Sequence, residues 1–494
     1  MFNTLYKKMK FQIYNTMTHK KEEFIPRIDE GKADFVWIYS CWPTVYRNPH
    51  IGNMRAFSFA DLLRNTIKNI LWYPTKHVMN LTDVWHLTDD WDDGEDKMEK
   101  WAKRDNMTVR ELADKYITEF YKYLDSLNIE KFDVFCRATD HIQEQINMVK
   151  TLEEKWYTYK ILSDGIYMDT SKVEDYGKLA WLENQSLRAW ARIQNENKKN
   201  PTDFSLRKFS KPWEKRQMER DSPRWVWFPG WHLECSAMSS KYLWEQFDIH
   251  TWWVDHIWVH HTNEIAQSEC TFDKKPRVKY RMHNQFLNLW WKKVAKADWW
   301  LVTVSDIEAQ WYSALDLKML YYTAHYRSFL DFNQDVLEQA KKQRQNIIKK
   351  IHNFDWEILD YQGSYQDIES QITTDEAKEF FNNSISAILD DLNTPRLLAE
   401  INKALHNPNS EIISIIKRLD NSLLRLDLFD FLILSSWAKS KDIEIPQEIQ
   451  KLGEDRLSAK QNKDRATADK IRDDLKSKWR NILDTKDGFE LEKI

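Results

Sequence analysis

Phe35-Val36-Trp37-Ile38-Tyr39, the turn holding Asn48-Pro49-His50-Ile51-Gly52-Asn53, and Lys76-His77-Val78-Met79-Asn80-Leu81 decide the fold. The first stretch is a short apolar run closed by a polar turn, which reads as a buried strand. After the turn, apolar positions recur at helical spacing through Phe57, Phe59, Leu62, Leu63 and Ile67, and the third stretch reads as a second strand. Strand, helix, strand predicts an α/β fold, a Rossmann-like parallel sheet with crossover helices. Ligands of such sheets bind at the carboxyl ends of the strands, here the turns after Tyr39 and Leu81.

Outward from this nucleus the pattern changes. Residues 151–224 are broken and polar, with Asn195 to Asn200 as a loop, and read as an insertion. Strand-like apolar stretches return near Phe228 to Cys235 and Phe247 to Val254. Beyond His325 the chain turns helical, with long runs at Val336–Ile351 and Thr374–Leu389. After Pro446 comes a last helical segment, Glu448 to Lys478, and a short strand-like tail. No repeat of fixed period is present.

Composition narrows the class. A chain of 494 residues is long for one domain, and length over ~150 suggests about three. With 30% charged residues, 42% hydrophobic residues and a mean hydropathy of -0.71, a soluble globular protein is expected. No apolar stretch approaches the ~18 residues of a membrane span, and Met1 to Lys10 has no apolar signal core. Four cysteines (Cys41, Cys136, Cys235, Cys270) make no disulfide framework, so a reducing cytoplasm is the expected compartment. A net charge of -4 excludes a generally basic nucleic-acid coat but allows local basic patches.

Four constellations can carry chemistry. His50 and Asn53 open a helix, where free N–H groups suit phosphate; an ordinary N-terminal cap with a surface histidine is the plainer reading. Lys292-Lys293-Val294-Ala295-Lys296 puts two lysines three apart, able to reach one triphosphate, or else a solvated charge run. His260 and Glu264 are four apart and would share a helix face. With Cys235 they are good zinc ligands, but their spacing matches no compact zinc motif, and a structural core histidine is the plainer reading. Nine Lys or Arg between Arg456 and Arg480 suit a phosphate-facing helix or one laced with i,i+4 pairs.

These pieces occur in one order, and in that order the chain resembles cysteinyl-tRNA synthetase from about Lys10 to its C-terminus. The resemblance is carried by Ile38-Tyr39-Ser40-Cys41-Trp42-Pro43-Thr44-Val45-Tyr46 with His50-Ile51-Gly52-Asn53, and by Asn80-Leu81-Thr82-Asp83-Val84. Most specific is Gly230-Trp231-His232-Leu233-Glu234-Cys235-Ser236-Ala237-Met238. Phe247-Asp248-Ile249-His250, Asp255, His260-His261-Thr262-Asn263-Glu264-Ile265-Ala266-Gln267-Ser268, His325-Tyr326-Arg327-Ser328 and Asp390-Asp391-Leu392-Asn393-Thr394-Pro395 continue it.

The resemblance implies a cysteine–tRNA ligase, which activates L-cysteine with ATP to cysteinyl-adenylate and transfers it to the terminal adenosine of tRNA(Cys). It implies Cys41, Cys235, His260 and Glu264 as ligands of one Zn2+ per subunit, a soft metal site for the substrate thiolate that a serine hydroxyl cannot imitate. His50, Asn53, Lys293 and Lys296 would be catalytic. Thr44, Thr82, Trp231 and His232 would line the amino-acid pocket, with Asp255 by the adenosine ribose and Mg2+ arriving with ATP. The implied domains are two halves of a nucleotide-binding domain at 1–150 and 226–285, split by an insertion at 151–225. A lysine-loop region follows at 286–330, then a helical tRNA-binding bundle at 331–440 and a small anticodon-side domain at 441–494. A cytoplasmic monomer with no membrane partner is expected. A ligase of the same fold joining cysteine to an amino sugar is the enzyme rival, and the Asp390 to Pro395 segment argues against it.

The chain departs from the family in a systematic way. Eighteen tryptophans, among them Trp42, Trp72, Trp156, Trp181, Trp244, Trp252, Trp253 and Trp311, stand where the family usually has glycine. Arg207, Arg220, Arg224, Arg281 and Arg480 stand where it usually has tryptophan. Taken literally, the indoles at Trp252 and Trp253 would fill the ATP pocket, the case for a catalytically dead, zinc-containing tRNA-binding pseudo-synthetase. A gene that reads UGA as glycine and some CGN arginine codons as tryptophan accounts for both substitutions. The counts agree: 9 glycines and 25 tryptophans come together to 34, near the ~35 glycines that ~7% usage predicts.

Overall fold

The computed structural model describes residues 10–41, 47–83, 97–181, 198–209, 220–222, 225–289, 302–353, 357–361, 363–430, 447–462, 464–477, 480–485 and 488–493. These fall into two compact units, residues 1–428 and 429–494.

The first unit opens with a hairpin of β1 (Gln12–Asn15) and β2 (Lys20–Glu23). The nucleus read from the sequence follows as β3 (Val36–Ser40), α1 (Ile51–Asn65) and β4 (Thr75–Leu81). Next come α2 (Lys97–Arg104), α3 (Val109–Ser126), β5 (Val134–Arg137) and α4 (Ile142–Glu154). Helix α1 is buried on every side, so its charges must be paired to be tolerated. Buried Arg64 meets Asp133 at the surface at 2.9 Å, and Asp61 meets Lys318 at 3.6 Å inside the protein.

The stretch read as an insertion, with the few residues after it, holds β6 (Thr158–Ile161), β7 (Gly165–Met168), β8 (Phe204–Phe209), β9 (Arg220–Ser222) and β10 (Trp225–Pro229). They form an antiparallel sheet in the order β6-β7-β8-β10-β9. The stretch from Phe228 to Cys235, read as strand-like, is only a strand to Pro229. Gly230 then caps α5 (Trp231–Leu243), and the Cβ of any larger residue there would meet the Ser205 carbonyl oxygen at 2.2 Å.

The central sheet is completed by β11 (Phe247–Trp253), α6 (His260–Phe272) and β12 (Val278–Asn284). Its order is β12-β11-β3-β4-β5, with every pair parallel. The order reverses between β3 and β11, the switch point that opens a crevice at the carboxyl ends. Beyond it lie β13 (Leu287–Leu289), α7 (Val304–Glu308), α8 (Ala314–Tyr322) and β14 (Leu330–Phe332), with β13 and β14 paired in parallel. The helical region then runs through α9 (Gln334–His352), α10 (Tyr365–Gln371), α11 (Asp375–Leu389), α12 (Thr394–Ala404) and α13 (Ser410–Leu419).

The helix ends are chemically odd. Trp72, Trp156, Trp181, Trp244 and Trp311 all have φ between 53° and 66°, where a side chain strains against the backbone and glycine is the usual occupant. At Trp156 and Trp311 the next residue's N–H reaches back five positions, Tyr157 to Leu152 and Tyr312 to Ile307. That is the helix stop that normally carries glycine. Trp244 ends α5 at φ 66°, ψ -172°, a region populated almost only by glycine.

In the second unit the expected single helical segment is divided. Helices Gln447–Gln461 and Arg465–Ser477 are separated where Asp464 accepts from the Thr467 N–H at 3.1 Å, starting a new helix. The tail is a hairpin of Arg480–Thr485 with Gly488–Lys493, and Ile449, Leu475 and Ile482 form a small core.

Candidate metal centre

Cys41 follows the last residue of β3, and Ser40 beside it pairs with Thr251 of β11. Cys235 sits in the second turn of α5, and His260 and Glu264 lie in the first turns of α6. The parallel sheet thus brings together residues up to 223 positions apart. Cys41 Sγ lies 3.6 Å from Cys235 Sγ, 3.9 Å from His260 Nε2 and 3.7 Å from Glu264 Oε1. His260 Nε2 and Glu264 Oε1 are 2.9 Å apart, as expected of an i,i+4 pair. One donor atom from each of the four lies within 4.8 Å of the others, and all four residues are buried.

The donor chemistry suits a metal. Two thiols, an imidazole and a carboxylate converge in a place where none of them is solvated, and a bound cation would compensate that burial. Burial opposes ionisation of Cys235, yet the Cys41 thiol donating to its sulfur and the His260 imidazole bring it down to about 7. Cys41 is pushed up by burial and by its neighbour's sulfur. Against burial, Cys235 and Glu264 hold His260 up, to about 10. His260 Nδ1 meets His232 Nδ1 at 2.9 Å, which fixes the ring so that Nε2 faces the sulfurs.

A second set, Cys41, His250, His261 and Glu264, shares two members with the first. Glu264 separates them. Its Oε1 faces His260 and Cys41, whereas Oε2 meets His250 Nε2 at 2.9 Å and the Arg281 guanidinium at 3.7 Å. A resident cation beside the second set disfavours another there. Behind it, His261 Nδ1 meets His283 Nε2 at 2.7 Å, and His283 Nδ1 meets Thr16 Oγ at 2.8 Å. Sequence reasoning assigned no role to His250, His256, His261 or His283. The adjacent pair His260-His261 was the available signal.

His50 and Asn53 form a reciprocal cap on α1. The Asn53 N–H donates to His50 Nδ1 at 3.3 Å, and the His50 N–H to Asn53 Oδ1 at 3.0 Å. Accepting at Nδ1 leaves the proton on Nε2. Burial, with Arg47 adding to it, holds His50 down to about 3, so the ring is neutral. It is not the surface histidine of the plainer reading. The Trp253 ring lies 5.4 Å from it. Thr82 follows the last residue of β4, fully buried, and accepts from Asn80 Nδ2 at 3.2 Å. His232 is buried against His260, and Asp255 is exposed in the turn after β11. Thr44, Lys293 and Lys296 lie outside the described residues, as does the Trp231 side chain, although its backbone opens α5.

Residues 27–342 match the family of tRNA synthetases class I (C), catalytic domain. Cysteine–tRNA ligase of Treponema denticola is 41% identical over 95% of this chain and 96% of its own. The chain belongs to the cysteine–tRNA ligase family. Cysteine–tRNA ligase of Borreliella burgdorferi is 34% identical over 98% of this chain and 100% of its own. Among solved structures, methionyl-tRNA synthetase of Mycobacterium tuberculosis superposes with a TM-score of 0.53 at 11% identity, covering 79% of this chain and 89% of that one. That likeness bears on the fold alone and agrees with the Rossmann-like reading. No helix among the described residues is long and apolar enough to cross a membrane.

Proposed function

We propose that the protein is a cysteine–tRNA ligase that forms cysteinyl-adenylate and charges tRNA(Cys). The observation that carries this reading is membership of the family over nearly the whole chain. The buried Cys41, Cys235, His260 and Glu264 cluster supports it, for zinc there would bind the substrate thiolate and discriminate against serine. A metal held by these four residues would supply that selection through the substrate sulfur, so no second, editing site would be needed.

In the first step the cysteine carboxylate attacks the α-phosphate of ATP and pyrophosphate leaves. His50, neutral and with its proton on Nε2, would donate to phosphate at the start of α1, where the helix N–H groups also point. Lys293 and Lys296 would stabilise the leaving pyrophosphate, and Mg2+ would travel with ATP. Thr82, Thr44, Trp231 and His232 would hold the amino acid, and Asp255 the ribose. In the second step a ribose hydroxyl of the tRNA attacks the adenylate carbonyl and AMP leaves. The helical region and the 429–494 unit would bind tRNA. Nothing in the family likeness favours the catalytically dead alternative.

Cysteine-dependent exchange of pyrophosphate into ATP, followed by charging of tRNA(Cys), tests the reading. Exchange with cysteine and none with serine is expected; no exchange in pure, metal-loaded protein would overturn it.

A further inference from the structure

The turn between α11 and α12 sends one carboxylate far from its own helices. Asp391 is fully buried and has φ 61°, a left-handed backbone that Asp tolerates. Its Oδ1 accepts from the Tyr14 N–H at 2.9 Å and the Tyr326 hydroxyl at 2.7 Å. Its Oδ2 accepts from Arg327 Nε at 2.8 Å and meets the same guanidinium's Nη2 at 2.7 Å. The Asp391 carbonyl lies 2.8 Å from His325 Nε2, and its N–H donates to the Gln12 carbonyl at 2.8 Å. A residue of the helical region therefore clamps both β1 and the segment 325–327.

That segment is the foundation of α1 and β13. Arg55, one turn after His50 and itself buried, donates from Nη1 to the carbonyls of Gln285 and Phe286 at 3.0 and 2.7 Å. Its Nη2 donates to those of His325 and Ser328 at 3.2 and 2.8 Å. The Gln285 N–H donates to the Tyr326 carbonyl at 2.8 Å, and the Tyr326 ring stacks on Phe59 of α1 at 4.3 Å. Helix α1 begins with His50 and Asn53, so whatever fixes the 325–328 segment fixes the start of α1. Charge-assisted hydrogen bonds of this kind are short and directional, which suits them to positioning.

We propose that Asp391 is a positioning residue for adenylate formation, holding α1 and β13 in register through Tyr326, Arg327 and Arg55. It acts on the phosphate end of the site. The metal end has ties that do not pass through β1: Ser40 Oγ lies 2.6 Å from Thr251 Oγ1, and His260 Nδ1 lies 2.9 Å from His232 Nδ1. This rests on the ligase reading above.

Asp391→Asn keeps the shape and removes the charge, and Tyr326→Phe removes one hydroxyl from the same carboxylate. In the full chain, Asp391→Asn is expected to lower kcat for cysteine-dependent exchange ~10–100-fold, the usual effect of a displacement of about 1 Å. KM for cysteine and bound zinc, measured by metal analysis, should stay unchanged. Tyr326→Phe should shift kcat the same way by less. An unchanged kcat in Asp391→Asn overturns the proposal, and so does a fall in which zinc and cysteine binding are lost in parallel. If Asp391→Asn does not fold, Tyr326→Phe decides by the same split between kcat and KM. No exchange in the unaltered protein would sink the ligase reading and this one with it; full exchange with an indifferent Asp391→Asn sinks this one alone.

Discussion

Replacing Trp72, Trp156, Trp181, Trp244 and Trp311 together by glycine should stabilise the protein, although it removes five large apolar side chains. Each now holds an L-residue at φ between 53° and 66°, which costs roughly 1–2 kcal/mol where Cβ crowds the carbonyl oxygen. Glycine removes that strain but returns ~0.4–1 kcal/mol through the entropy of the unfolded chain. The net gain is then ~0.5–1 kcal/mol per site. Little packing is forfeited, because these indoles are 47% to 79% exposed. Their ring contacts are few, Trp181 with His19 and Trp244 with Trp37. The sites sit on separate elements, so their effects should add to about 3–5 kcal/mol. With an unfolding entropy of ~2.1 cal/mol/K per residue, a unit of 428 residues melts about 3–6 °C higher for that gain. Thermal melts of the two proteins side by side make the comparison, with soluble yield as a second readout. A fivefold variant that melts at or below the parent refutes the argument. The same reasoning bears on the native chain: peptide mass spectrometry of protein from the source organism should find glycine at positions 42, 252 and 253 and tryptophan at 480. Tryptophan and arginine at these places would refute recoding.

Further outcomes follow from the site. Cys235→Ser should lose bound zinc and cysteine activation together, as metal analysis and exchange would register; exchange retained without metal would contradict the ligand assignment. Trp252→Gly with Trp253→Gly should lower KM for ATP, because the Trp253 ring lies beside His50. An unchanged or raised KM would show that these indoles do not obstruct the nucleotide. Acid should weaken the fold from about pH 6.5 downward. Burial holds His50 at about 3 and His77 well below its usual value, with Arg47 and Arg64 adding to it. The unfolded chain, with histidine near ~6.5, then binds more protons, so this stability is full above that pH and lost as pH falls towards 3. The urea midpoint at pH 5 should lie below that at pH 7, and a midpoint that rises on acidification would contradict this.

What the sequence disclosed depended on the range of the interaction. The run from Val36 through Leu81 was legible because strand and helix periods alternate within it and its turn is chemically marked. The insertion sheet was not, since β6 and β7 are only four residues each and β8 pairs with β7 across the polar interval 169–203. The cluster residues were legible by type but not by spacing. Only the sheet order, with β3 beside β11, puts Cys41 against residues some two hundred positions away, and only family resemblance anticipated it. Asp391 was invisible as a hub, because its partner Tyr14 is 377 residues distant.

The two anomalous residue types leave opposite physical marks, and the pair is more informative than either. Trp72, Trp156, Trp181, Trp244 and Trp311 are found exposed on left-handed backbone, where an indole gains little and glycine is favoured. Arginine is found in the interior: Arg281 is 2% exposed, and its Nε has no hydrogen-bond partner among the described residues. Its guanidinium faces Glu264 across 3.7 Å, so it sets a positive charge beside a cluster suited to a metal cation, which weakens the binding the cluster is built for. An aromatic side chain there would remove that repulsion and an expensive desolvation at once. Random decay would scatter polar residues into the core and apolar ones outside it without regard to type. One residue type misplaced outward at helix stops and another misplaced inward beside the cluster is the pattern of two codons read with the wrong meaning. On that reading the helix ends, the nucleotide crevice and the metal centre recover working chemistry together.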